Sequence, residues 1–135
     1  PQRKIAVASL HPSEEWLAED VAVDDKRYAG EHGLVELMSL VAHADLVVAP
    51  VGWVVPMALA YGTPLFVLFG GMGASNAPEH MVHPCMGPRR FGYTLPRAFC
   101  RCDAMTHACD KQLVDPVGDF ERWRDGLPGG LRVAS

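Results

Sequence analysis

The sequence predicts an α/β fold: a Rossmann-like parallel sheet with helices on both faces, joined to an irregular cysteine-rich segment. Three observations carry that expectation. Short apolar runs alternate with stretches of helical periodicity through residues 1–76. The runs are apolar on successive residues, as a strand must be when helices cover both of its faces. Glycine and proline fall at the joints between runs, where helices stop and turns begin. Regular strand–helix alternation of this kind gives parallel strands with right-handed crossovers.

Each element has its own justification. Residues 4–10 (KIAVASL) read as a buried strand. His11-Pro12-Ser13 and then EEWLAE follow, and a proline near the first helical position with Glu14 and Glu15 in the first turn starts a helix. Residues 20–23 suit a second short strand, and 24–33 (DDKRYAGEHG) are polar and turn-like. In residues 34–44 the apolar side chains Leu34, Leu37, Met38 and Val41 recur at helical spacing, which predicts an amphipathic helix. Residues 46–49 (LVVA) form the next strand, Pro50 turns the chain, and 51–61 read as a helix stopped by Gly62 with Pro64 beyond it. Residues 65–69 (LFVLF) are apolar throughout, the pattern of a central strand.

The texture then changes. Gly70-Gly71-Met72-Gly73-Ala74-Ser75-Asn76 reads as a loop opening at a strand's carboxyl end. Residues 77–110 are rich in Pro, His and Cys and show no period. A stretch that long without regular structure in a compact domain is either functional or tied down. Residues 116–126 (PVGDFERWRDG) predict a last helix within a C-terminal segment, 111–135, and Phe120 and Trp123 at helical spacing read as core contacts. The 135 residues, 49% of them apolar, suffice for one domain with a real core.

Several function classes are excluded. The net charge is −4 and no basic stripe is visible, against a nucleic-acid partner. The apolar stretch 46–69 is broken by Pro50, Gly52, Pro56, Gly62 and Pro64, against a transmembrane segment. No apolar secretory stretch opens the chain, so the expectation is a cytoplasmic protein.

In open parallel sheets ligands bind beyond the carboxyl ends of the strands. Residues 9–13, 50–53 and 70–76 meet that description. The second leads into a helix whose first turn, at Gly52 and Trp53, offers backbone N–H groups and a positive dipole end to a phosphate. The third supplies Gly70, Gly71, Gly73, Ser75 and Asn76 as a glycine-rich cradle, without the Gly-Lys-Ser/Thr ending of a P-loop. Taken singly, each glycine also reads as an ordinary turn residue. The four cysteines, Cys85-x14-Cys100-x-Cys102-x6-Cys109, are confined to one segment. In a reducing compartment such clustering points to zinc or iron held by four thiolates, with free thiols or a disulfide as the alternatives. A site closed by four protein ligands is structural. His43 sits where it can meet the negative end of the first predicted amphipathic helix. Glu14-Glu15 and Asp24-Asp25 read as solvated surface, and no Ser/His/Asp or Cys/His arrangement emerges from spacing.

The stretch LVELMSLVAHADLVVAPVGWVVPMALAYGTPLFVLFGG (34–71) resembles the C-terminal domain of the ADP-heptose:lipopolysaccharide heptosyltransferases, glycosyltransferase family 9. In that family an "ADLVV" strand precedes an "xDSGxxHLAxALGTP" helix, an apolar strand and a glycine. CRCDAMTHACDKQLVDPVGDF (100–120) is similar to the family's cysteine-containing tail. Its Cys109-Asp110-Lys111 is similar to the "C-T-K" tail of the autotransporter heptosyltransferase branch. Together these segments cover about half of the chain. The resemblance implies one half of a GT-B architecture, the half that holds a nucleotide-sugar donor such as ADP-heptose. The branch likeness implies a four-cysteine metal finger on Cys85, Cys100, Cys102 and Cys109. Counted back from Gly62-Thr63-Pro64, the family's Asp-Ser/Thr-Gly falls on Val51, Gly52 and Trp53, and its His on Pro56. With those groups replaced and the catalytic-base domain outside this sequence, the chain is not expected to catalyse transfer alone. It is expected to work with a catalytic partner domain or as a homo-oligomer. The alternative is a non-catalytic structural or interaction module that keeps the glycosyltransferase fold within a larger assembly.

Overall fold

The fold is that of a computed structural model, which describes residues 6–8, 23–27, 31–70, 76–81, 90–101 and 109–127. The chain divides into two compact units, Pro1–Ser39 and Leu40–Ser135. The architecture is mixed α/β, with four helices among the described residues.

In the first unit β1 (Ala6–Ala8) pairs in parallel with β2 (Asp25–Arg27), Ala6 opposite Asp25. This strand falls inside the segment 24–33, which is expected to be turn-like. Its residues, DKR, carry no apolar signal, and an Asp25–Arg27 ion pair of 3.0 Å lies along it. Parallel pairing needs only the backbone, so a polar strand leaves no trace in the hydrophobic pattern. Residues 20–22, and the helix expected after Pro12, lie outside the described residues. Helix α1 (Leu34–His43) begins in this unit. Its Glu36 reaches back to accept the Gly33 N–H at 2.8 Å, the carboxylate half of a capping box. That bond, with a weaker one from His32, holds the Glu36 carboxyl below its ordinary range.

The second unit holds the end of α1, then β3 (Val47–Pro50), α2 (Val54–Tyr61), β4 (Leu65–Leu68), α3 (Pro78–Met81), β5 (Phe91–Thr94) and α4 (Pro116–Asp125). Its three strands form a parallel sheet in the order β3-β4-β5, with Pro50 opposite Leu68 and Leu68 opposite Thr94. Successive side chains of β4 point to opposite faces. Leu65, Val67 and Phe69 join Ala49, Phe91, Val41 of α1 and Val55 and Ala58 of α2 in one apolar cluster. Phe66 points the other way, onto Phe120 and Trp123 of α4, with ring centroids 5.3 Å and 5.4 Å away. Helices thus cover both faces of the central strand. Leu65, Phe66 and Val67 are each at most 1% exposed; burial of such side chains stabilises by roughly 1.5–3 kcal/mol apiece. On the face covered by α4 the edge strand β3 stays open, with Val48 half exposed.

The joint between α2 and β4 shows why Gly62-Thr63-Pro64 stands there. Gly62 adopts φ 68°, a left-handed conformation that a Cβ disfavours. Its N–H bonds to the Leu59 carbonyl and the Thr63 N–H to the Ala58 carbonyl, a Schellman motif that satisfies two helix-end acceptors. The Thr63 hydroxyl, buried, donates to the Val41 carbonyl at 2.8 Å and so fastens the end of α1 to this turn. The Arg90 guanidinium adds a bond to the Gly62 carbonyl at 2.5 Å, cationic at the helix's negative end. Pro64 cannot continue the helix and accepts the Val47 N–H at 2.9 Å, the first link between β3 and β4.

Three expectations are corrected. Pro50 does not turn the chain; it is the last paired residue of β3, an edge strand in which a missing N–H is tolerated. Helix α2 begins at Val54 rather than at 51, because 51–53 form the turn. The segment 77–110, read as irregular, contains α3 and the strand β5.

Candidate functional site

The carboxyl end of the second unit's sheet brings together part of what the sequence singled out. Because Pro50 and Leu68 are paired, Gly52 and Gly70 stand at equivalent positions, each two residues past the end of its strand. Both are exposed, and a Cβ built on either meets no atom within 4 Å. Among the described residues positive φ occurs at Gly62 alone, so neither Gly52 nor Gly70 is glycine for its backbone conformation. Neither crowding nor strain demands glycine here. The two positions leave adjacent stretches of backbone open to close approach from outside.

Trp53 follows as the N-cap of α2, in right-handed conformation and without a side-chain cap bond. The first turn carries no acidic residue, and Pro56, its third residue, has no N–H to satisfy. The positive end of α2 is therefore not neutralised by its own side chains. Trp53 is 47% exposed, so its ring does not fill the interior. Val51 packs partly against the apolar cluster, and Pro56 is exposed. Neither brings an acid or a base to this edge, so those positions supply no proton-transfer group. Asn76 is half-buried at the turn leading into α3. Gly71, Gly73 and Ser75 lie outside the described residues.

Beyond β5 lies a groove that no sequence pattern announces. It is a cavity of about 270 Å³ lined by Pro78 and Glu79 of α3, Tyr93 of β5, and Leu95, Phe99 and Arg101. Arg101 pairs with Glu79 at 2.5 Å and lies 5.8 Å from the centre of the Phe99 ring. The guanidinium holds the Glu79 carboxyl below its ordinary range. Phe99 in turn meets Phe69 edge-on, ring centroids 6.3 Å apart. These residues come from three separate stretches with no shared period; the aromatic and β-branched content of FGYT was the one available signal.

Of the four cysteines, Cys100 and Cys109 are described and half-buried, while Cys85 and Cys102 lie outside the described residues. An antiparallel bridge joins Pro96 to Leu113, and the Arg97 N–H donates to the Gln112 carbonyl at 2.8 Å. This neck closes a loop in which Cys100 and Cys109 lie equally far from it, each four residues beyond its bridged partner. Among the described residues no three His, Cys, Asp or Glu side chains come together to hold a metal.

No helix among the described residues is long and apolar enough to cross a membrane. The class the fold and site define is a mixed α/β protein with a three-stranded parallel sheet, open at its carboxyl edge. Comparison with known proteins goes no further: no family model, no curated protein and no solved structure matches the chain.

Proposed function

We propose that this chain is a Rossmann-like domain of the GT-B kind that binds a nucleoside diphosphate sugar, in the manner of the heptosyltransferase donor domain it resembles. One observation carries the reading: Gly52 and Gly70 stand open and side by side at the carboxyl edge, next to the uncapped start of α2. A diphosphate suits such an edge, because backbone N–H groups and the helix dipole both favour negative charge. The exposed Trp53 ring offers a flat apolar surface to a base or sugar. Val51 and Pro56 supply no carboxylate and no imidazole, so transfer chemistry falls to a catalytic partner domain or a second copy of the chain.

The same proposal gives the four cysteines, Cys85, Cys100, Cys102 and Cys109, a structural zinc or iron ion. Thiolates fit either metal, and a reducing cytoplasmic setting keeps them available. The matched positions of Cys100 and Cys109 on the 97–112 loop support it. The metal would hold this loop closed and take no part in chemistry.

Calorimetric titration with ADP and an ADP-sugar tests the nucleotide reading. Saturable binding is expected, weakened at least tenfold by Gly52→Val or Gly70→Val while the melting temperature stays within a degree or two. Absence of binding to any nucleoside diphosphate would overturn it. The second reading, a non-catalytic interaction module, is favoured by the same loss of acid and base at Val51 and Pro56. It predicts stable self-association or partner capture in sedimentation experiments without any nucleotide effect.

A further inference from the structure

We draw no further inference here: the strongest candidate, the groove between α3 and the chain after β5, lined by Pro78, Tyr93, Leu95, Phe99 and the Glu79–Arg101 ion pair, carries nothing because that pair satisfies its own charges and nothing in the structure shows what covers the apolar remainder.

Discussion

Gly92 sits beneath the indole of Trp123, and a Cβ built there would stand 2.5 Å from Trp123 Cδ2. Glycine at this position is a packing requirement: β5 reaches α4 closely because one strand residue has no side chain. Gly92→Ala therefore must push Trp123 off Phe66, and overpacking of this kind costs about 1–3 kcal/mol. Gly52→Ala and Gly70→Ala, which meet nothing, are expected to change stability by no more than about 0.5 kcal/mol. Urea denaturation of the three variants measures this directly, and equal costs at all three would refute the distinction between buried and open glycines. In the sequence the three residues look alike. Gly62 was legible because a helical period ends just before it and a proline follows. The role of Gly92 was not, since it depends on an aromatic ring contributed by a distant element.

Helix α4 was legible from its start signal, and the structure shows how that signal works. Pro116 occupies the first turn, and the Asp115 carboxylate accepts the Gly118 N–H at 3.0 Å. Loss of such a cap costs typically about 1 kcal/mol, so Asp115→Ala is expected to lower stability by that order in chemical denaturation. A second anchor joins α4 to β5. The buried Thr94 hydroxyl donates to Asp119 at 2.7 Å, and Arg122 pairs with the same carboxylate at 2.6 Å. Thr94 first, and then Arg122, lower the Asp119 pKa. A carboxylate depressed in the folded state stabilises fully above its unfolded pKa, about 3.9, and that contribution is lost as pH falls through the lower folded value. The native protein should therefore lose stability as pH falls below about 4, and Thr94→Val should make that part of the stability–pH curve shallower. Identical acid limbs for the two proteins would remove the Thr94–Asp119 bond from the account. The other elements divide by the same logic of what a sequence displays. β3, α2 and β4 bury one side or both and so show an unbroken apolar run, while α1 shows a period although Val41 is its one buried residue and Leu34 is exposed. β2 is polar, α3 is a single turn, and β5 hides its apolar face behind a glycine and a threonine.

At the scale of the molecule, two regions bear on the proposed function: the carboxyl edge of the sheet and the cysteine loop. The edge was legible because parallel topology follows from strand–helix alternation, and topology alone says which strand ends lie together. The groove beyond β5 was not, because its walls meet only through tertiary packing of Phe69, Tyr93 and Phe99. The cysteine loop was legible in composition but not in form. Pairing of Pro96 with Leu113 closes a neck whose two arms carry Cys100 and Cys109 at matched positions, and closing a loop costs chain entropy that a short bridge repays poorly. A metal held by thiolates from both arms would offset that cost, which makes the loop a test of the proposed site. The purified chain, kept reduced, is expected to carry one equivalent of zinc or iron by elemental analysis. Cys100→Ser and Cys109→Ser should each release it and lower the melting temperature by several degrees, as loss of a ligand from a folding-coupled site does. A strong chelator should reproduce the shift in the parent protein and have no effect on either variant. Should the protein prove metal-free, with both serine variants melting as the parent does, the metal is withdrawn. The nucleotide reading would then stand or fall by its own titration, since Gly52 and Gly70 lie on other strands' ends and share no residue with the cysteine loop.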